Sequence, residues 1–112
     1  ASNALTAIYI ATGQDTACVA ENSVGHFTVE KVDDGITWRL TLPSMTVGTV
    51  GGGTRLNQQQ QNLQLLGCDN SEHSSRKLAE IIASAALGLE ISLGSAIMSH
   101  TWTSAHMKYG RK

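Results

Sequence analysis

The 112-residue sequence predicts an α+β fold. Two observations carry this. Apolar residues recur every three or four positions over Ala4–Thr12 and again from Leu78 onward, which is the helical period. Between these stretches the period drops to two on either side of Asp33-Asp34-Gly35, which marks a hairpin. The expected order is a helix, an antiparallel β-hairpin, a glycine-rich turn and then helices.

The first helix is expected over Ala4–Thr12, with Leu5, Ile8 and small alanines on its buried side and Gly13 as its stop. Residues 14–23 are small and polar and are expected to begin with a helical turn. In the hairpin, Phe27 and Val29 alternate with His26, Thr28 and Glu30, while Ile36, Trp38, Leu40 and Leu42 alternate with Thr37, Arg39 and Thr41. One face is therefore apolar, and Pro43, the only proline, ends the second strand. The run Val47-Gly48-Thr49-Val50-Gly51-Gly52-Gly53-Thr54 is costly in chain entropy. Such a run suits a backbone that takes unusual angles or approaches something closely. A helix over Gln58–Leu66 follows, with Leu63, Leu65 and Leu66 on or near one side, the glutamine run on its surface and Gly67 closing it. Ser71 is expected to cap the next helix, with Glu72 in its first turn. That helix runs on Leu78, Ile81, Ile82, Ala85, Ala86 and Leu89 and continues towards His106. About 35 residues of helix would span about 50 Å, so Gly88 or Gly94 is expected to mark a close crossing or a break.

Composition excludes several classes. Eight Lys+Arg against nine Asp+Glu give a net charge of −1, which excludes a strongly basic nucleic-acid binder. No apolar run reaches the roughly 18 residues of a membrane span. Two cysteines, Cys18 and Cys68, are too few for a disulfide framework and read as buried or incidental thiols. The chain opens without Met and is apolar from Leu5, so part of a larger protein is expected.

Gly51-Gly52-Gly53-Thr54 before a helix could present backbone N–H groups to an anion, or could simply be a tight turn. No Gly-Lys-Ser/Thr follows it, and only Arg55 supplies nearby charge, which ranks a phosphate-binding domain low. Asp15 behind Gly13 reads as a cap, or as a functional carboxylate if it has a buried partner such as lysine. His106 suits proton transfer near neutral pH, although a surface helix histidine is the plainer reading. His100 lies on another helix face, so the pair makes no metal site, and no metal is expected. His26 and His73 are expected to face solvent. A small non-catalytic association module remains the rival reading. It would leave Asp15 and His106 far apart, where an enzyme would bring both to one cleft beside the glycine turn.

Several segments together resemble the 3-hydroxy-3-methylglutaryl-coenzyme A (HMG-CoA) reductase family. They are Thr6 to Asp15 with its Gly-Gln-Asp, Leu42-Pro43-Ser44, Val47 to Thr54, Gly88 to Leu93 and Ala105-His106-Met107. The resemblance covers essentially the whole chain, in the style of the eukaryotic and archaeal class. It implies that residues 1–112 are the C-terminal segment of the catalytic region, within its large substrate-binding domain. It also implies a reaction, the reduction of HMG-CoA to mevalonate and free coenzyme A by two hydride transfers from NADPH. By resemblance, Asp15 is the catalytic aspartate that tunes a lysine, and His106 protonates the departing coenzyme A thiolate. Asn3 matches an asparagine that contacts the lysine and substrate. Gly51, Gly52, Gly53 and Thr54 match the active-site glycine motif, and Leu93, Ala96 and Ile97 match an apolar patch at the substrate pocket. Active sites of the family form between subunits, so a homodimer or higher homo-oligomer is implied. A cytoplasmic location is implied too, without the membrane anchor of some eukaryotic members. Trp102 and Ser104 depart from the pattern ahead of the histidine, which affects local coenzyme A contacts. The family's catalytic lysine, catalytic glutamate and Asp-x-Met-Gly-x-Asn cofactor motif are not among these residues, so the chain alone is expected to be inactive.

Overall fold

A computed structural model describes residues 1–69 and 72–98. It shows α1 (Ser2–Thr12), a 3-10 turn (Thr16–Cys18), α2 (Val19–Asn22), β1 (His26–Val32) and β2 (Gly35–Thr41). A second 3-10 turn (Gly52–Arg55), α3 (Asn57–Leu65) and α4 (Ser74–Met98) follow. The α+β class and the order of elements are as the sequence predicts. Helix α1 starts two residues earlier than its apolar pattern suggested, at Ser2.

The core lies where α1 packs against α3 and α4. Leu5 and Tyr9 of α1, Leu63 of α3, Cys68, and Leu78, Ile82 and Ala86 of α4 are buried together, with Val19 closing one side. The spacing 78, 82, 86 is one helical stripe, as the periodicity requires. Ile10 and Leu89 fall off these stripes and are exposed. Leu65 is also exposed, contrary to its expected place beside Leu63. Two residues on, a helix has turned about 200°, so the two side chains point to opposite sides.

A buried polar cluster ties α1 to the segment after the hairpin. Asn22 Nδ2 donates to Tyr9 Oη at 2.7 Å and to the Thr46 carbonyl at 3.2 Å. Tyr9 O–H points to the same carbonyl at 3.4 Å. Burial pushes the Tyr9 hydroxyl above its usual pKa, so it stays a protonated donor. Asn22→Ala leaves the buried Tyr9 hydroxyl oxygen without its donor and is expected to cost about 1–3 kcal/mol, read by denaturant unfolding. A cost near zero would mean that water replaces the amide.

The hairpin pairs Phe27 with Leu40, Val29 with Trp38, Lys31 with Ile36 and Val32 with Gly35, leaving Asp33-Asp34 as a two-residue turn. Phe27 and Trp38 stack at 5.6 Å between ring centres. The apolar face is covered only near its base: Val29 and Ile36 are half exposed, and Lys31 interrupts it. On the other face Glu30 and Arg39 form an exposed ion pair at 3.0 Å, which adds little stability.

Helix α4 runs unbroken through both glycines. Gly94 is a close contact: a Cβ there would stand 3.2 Å from the Trp38 ring, so its lack of a side chain seats the hairpin on the helix. Gly88 faces open space. Gly88→Ala is therefore expected to stabilise the chain by up to about 1 kcal/mol, the helix-propensity difference. A lower melting temperature would show that position 88 meets a surface after all. The start at Ser74 also moves the expected cap. Ser71 lies outside the described residues, and the carbonyl of His73 accepts from Lys77 N–H at 3.0 Å as the first turn closes.

By length and composition Ser74–Ile97 could cross a membrane, which corrects the expectation that no stretch reaches that length. The apolar runs in it are short, but alanine, glycine and serine between them keep the helix apolar. Leu78, Ile82 and Ala86 are nonetheless covered by the chain's own core.

Candidate active-site cleft

The end of α1 builds one wall of a cleft. An α-helix leaves its last four carbonyls without helical partners. Here every one is met. Gly13 takes a left-handed conformation (φ 76°), and N–H groups of Gly13 and Gln14 donate to the Tyr9 carbonyl. Gln59 Nε2 of α3 donates to the Ile10 carbonyl at 3.2 Å, and Asn62 Nδ2 to that of Ala11 at 2.8 Å. Gln14 Nε2 donates to the Thr12 carbonyl at 3.1 Å. The glutamine run is thus more than helix surface, because Gln59 and Asn62 fasten α3 to the end of α1.

The opposite wall is the glycine run. Gly51 and Gly52 both have positive φ (83° and 53°), which ordinary side chains resist. Thr54 Oγ1 donates to the Gly51 carbonyl at 2.5 Å and is itself nearly buried. The two walls touch backbone to backbone. A Cβ on Gly13 would collide with the Gly53 carbonyl and stand 2.6 Å from Thr54 N, and a Cβ on Gly53 would stand 2.9 Å from the Gly13 carbonyl oxygen. Both glycines are required by this close approach.

Between the walls lies a cleft of about 480 Å³. Asp15, Gln14, Gly48 and Gly51 to Thr54 line it, and Ile10, Val50 and Leu56 form an exposed apolar rim. Asp15 Oδ1 accepts from Ala17 N–H at 2.9 Å and caps the first 3-10 turn. Its side chain is otherwise open to solvent. Capping and a place in the cleft are both true of this aspartate. Asp15 is also the only charged residue in the described lining. A lone carboxylate can hold or orient a cation but cannot polarise a carbonyl. The described lining likewise lacks a cation for the phosphates of a nicotinamide cofactor and does not fit one.

The other expected site residues stand elsewhere. Asn3 is exposed in the first turn of α1, about 14 Å along the helix from its C-terminal end. That first turn meets α4, where the Ala1 backbone nitrogen lies 2.9 Å from Glu90 Oε1. Leu93 and Ile97 follow on the next turns of α4, 41% and 55% exposed, with Ala96 half-buried. The predicted residues therefore form two groups at opposite ends of α1. His106 lies outside the described residues. Cys18 and Cys68 are free thiols, and His26 and His73 are exposed, as expected. Among the described residues no cluster could ligate a metal ion. Sequence reasoning named Gln14 and Gly48 only within the motifs that carry the resemblance and gave neither a role, because their pairing joins positions 34 residues apart.

The sequence model for hydroxymethylglutaryl-coenzyme A reductase matches residues 1–111, and the chain belongs to that family. It is 42% identical to the 3-hydroxy-3-methylglutaryl-coenzyme A reductase of Methanocaldococcus jannaschii, with 98% of the chain and 27% of that protein aligned. It is 46% identical to the one from Aeropyrum pernix, again over 98% of the chain and 27% of the relative. Reductase 2 of Gossypium hirsutum is 47% identical over 99% of the chain and 19% of its own length. The chain thus spans about a fifth to a quarter of these relatives.

Proposed function

We propose that this chain forms one wall of the active site of an HMG-CoA reductase, within the C-terminal part of its catalytic region. The reaction would convert HMG-CoA to mevalonate and coenzyme A with two NADPH hydrides. The observation that carries this reading is the shared cleft of Asp15 and the Gly51–Thr54 turn in a chain of this family. In this reading Asp15 stands beside a lysine supplied from outside these residues. Its charge keeps that lysine protonated, and the ammonium polarises the thioester carbonyl. His106 gives its proton to the coenzyme A thiolate as the carbon–sulfur bond breaks. Asn3 and the Leu93, Ala96, Ile97 stretch serve substrate at the other end of α1, which suits a site shared between copies of the protein. Cofactor binding falls to residues outside the described lining.

The test places this chain in the Methanocaldococcus jannaschii reductase in exchange for its matching segment. HMG-CoA-dependent NADPH oxidation by the exchanged protein is the expected result. A folded, assembled exchange protein without turnover would overturn the reading. The 112 residues alone are expected to show none, because the family's lysine and glutamate are not among them.

A further inference from the structure

We propose that Gln14 is a positioning residue for the reaction, holding the glycine wall in register with Asp15. The inference rests on the role given to Asp15 above. Residues 45–50 form no helix or strand, so side chains must hold them. At Gly48 the holder is the Gln14 amide. Its Nε2 donates to the Gly48 carbonyl at 2.8 Å, and its Oε1 accepts from Gly48 N–H at 2.8 Å. This paired contact imitates the exchange of bonds between two backbone strands. The same Nε2 also reaches the Thr12 carbonyl at 3.1 Å, so one amide joins the end of α1 to the start of the glycine run. Gln14 is the immediate neighbour of Asp15, and Gly48 lies three residues ahead of Gly51. The clamp and the Gly13–Gly53 contact flank the cleft and fix its width. Neither a carboxylate nor a thioether of the same length can replace it. Glutamate keeps the acceptor for Gly48 N–H but sets a charge against two carbonyls, and methionine offers no strong hydrogen bond.

Gln14→Met and Gln14→Glu would be made in the active exchange protein, each alone and each with Asp15→Asn. Each single change is expected to lower kcat by about 10- to 100-fold, as small misplacements of reacting groups do, with KM for HMG-CoA moving by less than about threefold. In the Asp15→Asn background the same changes are expected to cost almost nothing further, since Gln14 acts through the carboxylate. A merely structural role would lower kcat equally in both backgrounds, and that additivity would overturn the proposal. So would an unchanged kcat, a loss confined to KM, or failure of both variants to fold. If Asp15→Asn alone leaves kcat intact, the role given to Asp15 fails instead, which is a separate result.

Discussion

Asp15→Asn is expected to lower the turnover of a reductase carrying this segment by about 100-fold or more, with no loss of fold. The substitution separates the two things Asp15 does. Asparagine keeps the Oδ1 atom that accepts from Ala17 N–H, and it caps as well as aspartate. The side chain is exposed and of equal size, so packing is untouched. Only the negative charge goes, and with it the group that would hold a lysine ammonium in place. Steady-state rates beside a thermal melt decide the matter. A matched melt with a collapsed kcat is the expected pair. An unchanged kcat would reduce Asp15 to a cap and leave the cleft without an ionisable group in its described lining.

Gly13→Ala is expected to give the largest structural effect, about 2–4 kcal/mol. A left-handed conformation costs a non-glycine residue about 1 kcal/mol or more by itself. The new Cβ would also strike the Gly53 carbonyl and come within 2.6 Å of Thr54 N. Backbone cannot swing aside as a long side chain can, so overpacking of about 1–3 kcal/mol is added. Relief would come only by parting the two walls, which would widen the cleft. Denaturant unfolding gives the cost. A loss under 1 kcal/mol would show that the walls are not pressed together.

Local patterns made much of the architecture legible. The hairpin and its apolar face followed from Phe27, Val29, Trp38 and Leu40 alternating on one side, with a turn signal at Asp33-Asp34-Gly35, and the structure supplies the register and narrows the turn to Asp33-Asp34. Gly67 closes α3 as expected, with Cys68 N–H reaching the Leu63 carbonyl at 2.8 Å. What stayed hidden depends on distant approach. Gly94 pointed to a crossing, but its partner proved to be the Trp38 ring, a side chain 56 residues away. Gln59 looked like solvated helix surface, and Asn62 carried no expectation, because nothing local says that a helix end needs them. The glycine pair could be placed near a site by family resemblance, yet the reason for Gly13 is visible only beside Gly53. Leu89, Leu93 and Ile97 are exposed, as suits part of a larger protein, although periodicity alone does not separate a core face from one left uncovered.

The contact between Gly13 and Gly53 closes a loop of about 40 residues with the whole hairpin inside it. The strands pair locally across a two-residue turn and can form while that loop is still open. The helical core of α1 and α4 gains its burial from other residues. The cleft is thus a clasp between parts that other contacts also hold, the buried core on one side and the paired strands on the other. Its local stability is set at Gly13, Gln14 and Gly53, none of which belongs to the buried apolar core.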